Sequence, residues 1–333
     1  MRASCAVLLA ATILVAQASG PALAQPAQRA HKPVPKPTHA ALTPLPCGDY
    51  LAFQVLLDRR GFSPGEIDGK PGANFTHAIG ALQQARQVPQ TMVPDCDTWR
   101  ALGGDNAEPV LTTYTLTADD VRGPFQKQIP VNLVEQAQLS ALNYKSPLEE
   151  VAERFHVSPV LLEQLNHNAP LTEGREIQVP AVTPFDPADR PAPPAEADDV
   201  AIEVSRADSA LRVTHADGSV VAFAPVTTGS VHDPLPPGNW TVTSVDWHPV
   251  FHYDPKLFWD AKATDTKATI QPGPNNPVGV VWISLSLEHY GLHGTPEPGH
   301  IGRTQSHGCV RMTNWDAARV ASMVKRGTPV VFK

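Results

Sequence analysis

Past its first 24 residues, this 333-residue chain has no apolar run long enough to span a bilayer, so no transmembrane segment is expected in the mature product. It also lacks a run of Lys and Arg. Its 26 basic residues stand against 33 acidic ones, a formal charge of −7 with no electrostatic footprint for nucleic acid. Cysteine is scarce, at four: Cys5, Cys47, Cys96 and Cys309. The abundant residue is proline, with 35, roughly twice the usual frequency. Residues 1–24 read as a secretory signal, with Arg2 as the charged start, an apolar run from Ala6 to Ala16 and the small-residue site Ala22-Leu23-Ala24. Export is therefore expected, and Cys5 leaves with the signal.

Three thiols remain in an oxidising compartment, where an even number pairs and the odd one is intermolecular or reactive. Cys47 and Cys96 bracket one small module and are natural partners, which leaves Cys309 free. Cys309 stands in Ser306-His307-Gly308-Cys309-Val310-Arg311, with His293-Gly294-Thr295 upstream. A thiol attacks carbonyls as thiolate, and a free thiol near pKa ~8.5 is mostly protonated at neutral pH. A neighbouring imidazole can take its proton and turn it into an acyl-transfer nucleophile. Gly308 lets the backbone turn and aim successive N–H groups at a developing oxyanion. His293 and His307 both compete for the base role, and His293 is favoured because motifs similar to this one sometimes carry lysine at the place of His307, which suits a backbone or substrate-orienting role there.

The stretch from His293-Gly294-Thr295 to Ser306-His307-Gly308-Cys309-Val310-Arg311-Met312 resembles the signature of the L,D-transpeptidase family, the YkuD-type catalytic domain. The likeness covers about residues 200–333 and includes Pro236-Pro237-Gly238 before a strand. Leu235 stands near where the family carries threonine, a departure that bears on a loop. The resemblance implies a mainly β catalytic domain, a sandwich with one supporting helix, and a periplasmic, cell-envelope enzyme without cofactor. It also implies two-step acyl transfer on peptidoglycan stem peptides. Cys309 would form a thioester with release of a terminal D-alanine, and an acceptor would then attack. The acceptor stays open: a stem amine makes a cross-linker, a protein lysine an anchoring enzyme, and water an L,D-carboxypeptidase. Gly308, Cys309 and His307 N–H groups would hold the oxyanion. Either the Gly294 carbonyl or the Ser306 hydroxyl would orient His293. Arg311 would bind a stem carboxylate or form a structural salt bridge.

Two other classes are weighed. A zinc peptidase would use His293, His300, His307 and Cys309, but no Asp or Glu general base stands at helical spacing to them, and no metal is expected. A non-catalytic wall-binding protein would leave the histidine–cysteine pair unexplained.

Ahead of this domain the chain alternates linkers and small modules. Residues 25–46 and 183–199 are proline-rich and read as extended linkers. From Cys47 to Gly104 two helices are expected, one through Phe53, Leu56, Leu57 and Arg60, the other through Ala78, Ile79, Leu82 and Gln83. The turn Gly65–Gly72 joins them, and Thr76 is a candidate cap. This module resembles a three-helix peptidoglycan-binding domain, with Val88-Pro89 in place of its usual Gly-Leu. Glycan binding and a plain stapled core are both open. Residues 105–143 read as a connecting segment. Residues 144–182 resemble a degenerate LysM module, with Lys145-Ser146-Pro147 where that family has Gly-Asp-Thr. Its expected faces are Leu148, Val151, Ala152 and Phe155, then Val160, Leu161 and Leu165, before a strand at Ile177–Pro180. It is read as a glycan site or as a spacer or lid beside the active site. In the last domain, strands are expected at Ile202–Val204, Leu211–Val213, Val220–Phe223, Trp240–Val242, Val280–Ile283 and Pro329–Phe332, with a hairpin at Asp217-Gly218. A helix capped by Thr313 or Asn314 buries Ala317, Val320, Ala321 and Val324 and stops at Gly327. His248 and His252 sit among Trp247, Phe251, Tyr253, Phe258 and Trp259, a cluster read as a wall over the site or a packed core.

Overall fold

The computed structural model describes residues 43–192 and 199–333. The signal, most of the first linker, Cys5, and Pro193 and Pro194 of the second linker lie outside the described residues. Among the described residues no helix is long and apolar enough to cross a membrane.

The first three helices are α1 (Tyr50–Arg59), α2 (Ala73–Ala85) and α3 (Cys96–Ala101). Asp49 and Asp95 cap α1 and α3 by accepting from Ala52 and Thr98 N–H groups. Thr76 does not cap α2. That helix starts at Ala73 behind Gly72, and Thr76 N–H already bonds back to the Gly72 carbonyl. A disulfide joins Cys47 to Cys96. Closing a loop of this length removes about 4 kcal/mol of chain entropy from the unfolded state. The Cys47→Ala/Cys96→Ala variant is therefore expected to lose about 4 kcal/mol in denaturant unfolding. An unchanged midpoint would mean that packing alone holds the module.

The connecting segment carries structure of its own: β1 (Leu111–Thr115), α4 (Ala118–Arg122) and α5 (Leu133–Gln136). Next come α6 (Pro147–Arg154), α7 (Pro159–Leu165) and β2 (Glu176–Pro180). Ser146 and Ser158 cap α6 and α7, each followed by proline at the first helical position, where its missing N–H costs nothing. The partner of β2 is β1, in antiparallel register from Leu111 opposite Pro180 to Thr115 opposite Glu176. On α7 the buried residue is Leu162, while Val160 is 55% exposed, so the expected face is rotated.

The last domain holds β3 (Ala201–Ser205), β4 (Ala210–Thr214), β5 (Val220–Pro225), β6 (Thr227–Thr228), β7 (Gly238–Trp247), β8 (Phe251–Tyr253), β9 (Ala268–Ile270), β10 (Val281–Leu285), β11 (Gly291–His293), β12 (Val310–Arg311), α7's successor α8 (Asn314–Met323) and β13 (Pro329–Phe332). Nine of these strands form one sheet in the order β5-β4-β3-β13-β7-β10-β11-β12-β6. Its middle strand β7 pairs with β13 over its first residues and with β10 over its last. Apolar residues from the two halves, such as Ile202, Leu211 and Val213 against Val281, Ile283 and Leu292, share one core with Trp315, Ala317 and Val320 of α8. Thr313 is the cap of α8, accepting from Asp316 N–H. Val324 and Gly327 fall beyond the last turn of the helix.

The modules are not beads on linkers. Phe53, Leu57, Phe75 and Ile79 share a core with Ala210, Val220 and Phe223 of the β4–β5 hairpin. Ser63 and Gly61 exchange backbone hydrogen bonds with Phe223. On the other side, Val55 and Ile67 pack with Val151, Phe155, Leu162 and Ile177. A buried polar group ties all three parts: Asp58 meets His156 at 3.1 Å and Arg319 at 3.2 Å, and Ser63 donates to Asp316 at 2.8 Å. Buried charges of this kind hold only when paired, so the junction fixes how the modules meet.

Candidate active site

Strands β11 and β12 run parallel, with Leu292 opposite Val310 and His293 opposite Arg311. Leu292 and Val310 are fully buried in the core. Side chains alternate along a strand, so His293 and Arg311 face the other side of the sheet together, and Cys309 is the residue just before β12. Strand pairing thus sets Val310, the residue after Cys309, beside Leu292, the residue before His293, and the Cys309 sulfur meets the Gly291 N–H at the start of β11. On the side that His293 faces, Trp282, opposite His293 on β10, lays its ring along the imidazole at 5.3 Å and 20°. The same indole lies over Gly291, where a Cβ would sit 2.5 Å from it.

His293 is 3% exposed. Its Nδ1 is 2.7 Å from the Gly294 carbonyl oxygen. A carbonyl only accepts, so Nδ1 carries the proton and Nε2 keeps its lone pair. Burial, with the Arg311 charge adding to it, pushes the imidazole down to about 3 despite the Gly294 bond. The ring is neutral at physiological pH. Because this folded value lies below the ordinary 6.5, the stability it confers is complete above pH 6.5 and is lost as pH falls toward 3. At pH 4.5 the wild type is expected to have lost about 2 kcal/mol more than His293→Gln, relative to each protein at pH 7. Parallel denaturant curves at the two pH values check this. Equal losses would mean that the imidazole is not held neutral.

Cys309 is a free, half-buried thiol. Its Sγ donates toward the His289 carbonyl at 3.6 Å. Burial pushes the thiol up, opposed by the Gly291 N–H and by Arg311. The resting pair is therefore thiol and neutral imidazole. Before Cys309, Gly308 has φ +96°, a backbone region that favours glycine, and a Cβ there would meet the Tyr290 ring at 2.8 Å. No loop, cap or side-chain hydrogen bond among the described residues uses the N–H groups of His307, Gly308 or Cys309.

Ser306 does not reach His293. Its hydroxyl donates to the Cys309 carbonyl at 2.6 Å, and its N–H bonds the Gly229 carbonyl, so it shapes the cysteine loop. His307 is occupied elsewhere, with Nε2 2.8 Å from Asp260 and its ring between Phe258 and Trp259, at 4.8 and 5.6 Å. These partners come from the excursion between β8 and β9, which places the expected aromatic wall against the cysteine loop. Trp259 is 54% exposed and stacks on His232 at 4.3 Å, whereas His248 and His252 are exposed. Arg311 is half-buried and forms no ion pair among the described residues, with Glu297 and Asp260 acting on it only at longer range. His300 pairs with Glu297 on the surface. Among the described residues no three His, Cys, Asp or Glu side chains converge as a metal site.

The sequence reading missed Trp282, Tyr290, Asp260 and Asn314. Only Trp282 left a signal, as the large residue at the outward position of the alternating strand Val281-Trp282-Ile283. Asn314 packs directly on Gly294: a Cβ on that glycine would lie 2.2 Å from Asn314 Oδ1.

The segments that hold these residues match known families. Residues 199–332 match the YkuD family model, described as “L,D-transpeptidase catalytic domain”. Residues 48–102 match a model described as “Putative peptidoglycan binding domain”. A Bacillus licheniformis protein described as “Putative L,D-transpeptidase YkuD” is 52% identical over 60 residues, 18% of this chain and 36% of that protein. A Bacillus subtilis protein of the same description is 28% identical over 187 residues, 56% of this chain and 92% of that protein. The solved structure of an L,D-transpeptidase from Mycobacterium smegmatis is 22% identical, covers 40% of this chain and 58% of its own, and has a TM-score of 0.33. Residues 199–332 thus match an L,D-transpeptidase catalytic domain, and residues 48–102 ahead of them match a peptidoglycan-binding-type helical module.

Proposed function

We propose that the protein is an exported cysteine L,D-transpeptidase of the cell envelope, in which Cys309 is the nucleophile and His293 its base. The observation that carries this reading is the shared face of β11 and β12. His293 stands there with Nδ1 spent on Gly294, and Nε2 is the ring nitrogen left to take a proton from the Cys309 thiol, which lies just before β12.

In the first step Nε2 takes the Cys309 proton as sulfur attacks the carbonyl carbon of a stem-peptide bond. The carbonyl oxygen becomes an oxyanion, toward which the N–H groups of His307, Gly308 and Cys309 are available. One such donor is worth about 3 kcal/mol in comparable acyl transfer. The C–N bond then breaks, the departing amine takes the proton from Nε2, and a thioester remains on Sγ. In the second step an amine of another stem gives its proton to Nε2 and attacks the thioester carbon. Sulfur leaves and is reprotonated by the imidazolium. The Arg311 guanidinium, which has no ion-pair partner among the described residues, stabilises the transient thiolate and suits a carboxylate of the stem. No cofactor enters these steps. The helical module over 48–102 is proposed to bind the same wall polymer. Its fixed junction with the catalytic domain would hold the polymer near the site.

The test is intact-mass spectrometry of the mature protein with a carbapenem, a strained amide that acylates thiolates. One stoichiometric adduct is expected, absent from Cys309→Ala and unchanged by EDTA, together with exchange of the terminal residue of a tetrapeptide stem. No adduct, with activity lost on chelation, would replace this reading by a metal-dependent one. Release of the terminal residue to water alone would make the enzyme a carboxypeptidase.

A further inference from the structure

The helical unit at 144–182 reaches the active site through one buried carboxyl. Glu153 on α6 is 6% exposed and accepts from Asn314 Nδ2 at 2.7 Å. The same Nδ2 donates to the Pro274 carbonyl at 3.1 Å, and Asn314 Oδ1 accepts from Val280 N–H at 3.2 Å. Both N–H donors of this amide are used and its oxygen accepts, so it has one orientation.

That amide sits where two glycines make room for it. A Cβ on Gly294 would lie 2.2 Å from Asn314 Oδ1, and one on Gly279 would lie 2.0 Å from the same atom and 2.6 Å from the Gly294 carbonyl carbon. Gly294 is therefore wedged between the Asn314 side chain and the Gly279 backbone, while its N–H bonds the Val281 carbonyl. Its carbonyl is the acceptor that fixes His293 Nδ1. The direction of that carbonyl sets the plane and tautomer of the imidazole.

We propose that Glu153, acting through Asn314, is a positioning residue for His293, so that the small unit at 144–182 serves as a buttress of the catalytic base. The proposal rests on the reading of His293 as base. An Asn side chain without its third partner can rotate, and the carbonyl it presses on can then tilt. A misplacement of about 1 Å at a reacting group costs on the order of 100-fold in rate. Burial pushes the Glu153 carboxyl up to about 8 against the opposing Asn314 hydrogen bond, with Glu149 and Glu66 adding their repulsion, and the same charge acts on the Tyr144 phenol. The acceptor thus changes charge within an accessible pH range.

The experiment compares Glu153→Gln, which keeps an acceptor, with Glu153→Leu, which removes it, in the full mature chain. Three readouts are taken: kcat and KM on a tetrapeptide stem, the carbapenem acylation rate, and the NMR resonance of the His293 Nδ1 proton. Glu153→Leu is expected to lower kcat and acylation by roughly 10- to 100-fold with KM little changed, and to shift or broaden the Nδ1 proton. Glu153→Gln is expected to rescue both rates. In the wild type the Nδ1 proton should shift with a midpoint near pH 8, and in Glu153→Gln it should not. That comparison decides the matter if Glu153→Leu does not fold. A folded Glu153→Leu with wild-type rates and an unmoved proton overturns the proposal, as does a pH 8 shift that persists in Glu153→Gln. If the wild type neither turns over the stem nor takes the carbapenem, the transpeptidase reading fails. The Nδ1 proton still reports on the buttress by itself.

Discussion

Cys309→Ala is expected to abolish stem-peptide transfer while leaving the protein folded. The sulfur is the only atom proposed to bond to substrate, and no other free cysteine is present among the described residues. Loss of the nucleophile in a comparable acyl-transfer enzyme costs on the order of 10⁶-fold in kcat, and the remaining rate comes from oxyanion binding and orientation. The side chain is half-buried and donates only a long bond to the His289 carbonyl, so the stability change should stay within about 1 kcal/mol. His293→Ala should lose nearly as much, and the double variant little more than either single one, because the two act as a unit. Turnover by folded Cys309→Ala, confirmed by circular dichroism and measured by release of the terminal residue, would remove Cys309 from the mechanism.

The second large effect is expected from Gly308→Ala. Two independent costs fall on this residue. Its φ of +96° is strained for any L side chain, and the new methyl would meet the Tyr290 ring at 2.8 Å. Strain of this kind costs about 1–3 kcal/mol, and the loop relieves it by moving. The same loop carries Cys309 and the N–H groups proposed for the oxyanion, so even a small shift should lower kcat about 100-fold. Gly308→Ala/Tyr290→Ala separates the two causes, since the second change removes the clash and leaves the φ strain. Partial recovery of the carbapenem acylation rate is expected. Full recovery would mean that backbone conformation is unimportant here, and an unimpaired Gly308→Ala would mean that the loop tolerates any residue.

Much of the site was legible because its residues lie close in the chain. His293 ends one short strand and Cys309 immediately precedes the short strand that pairs with it, so a local motif spells out which segments the sheet later sets side by side. The partner of His307 was not legible. Asp260 lies 47 residues upstream, in an excursion between two short strands, and nothing in the spacing points from one to the other. From the sequence, either the Gly294 carbonyl or the Ser306 hydroxyl could orient His293. The turn at Gly308 instead directs the Ser306 hydroxyl to the Cys309 carbonyl.

The modules show the same division. The strand Leu111–Thr115 reads as part of a connecting segment in the sequence, and in the structure its side chains are half-buried or exposed. It becomes a strand through its ladder with β2. On α7, Val160 and Leu162 are equally apolar in the sequence, and only the packing of α6 and Ile67 decides that Leu162 turns inward.

What the sequence determined by itself was the chemistry and the local elements: a free thiol by cysteine parity, a histidine within reach of it, strands by alternation and helices by their caps. Each of these depends on residues within a few positions of one another, where side-chain period and turn chemistry act directly. The tertiary structure decided which carbonyl holds His293, that Glu153 stands behind Asn314 from 161 residues away, and that the modules share cores instead of hanging on linkers. Those outcomes depend on surfaces meeting across the chain. A small helical module with apolar residues on two sides cannot bury them alone, and the sheet and α6 that cover them are specified elsewhere in the sequence.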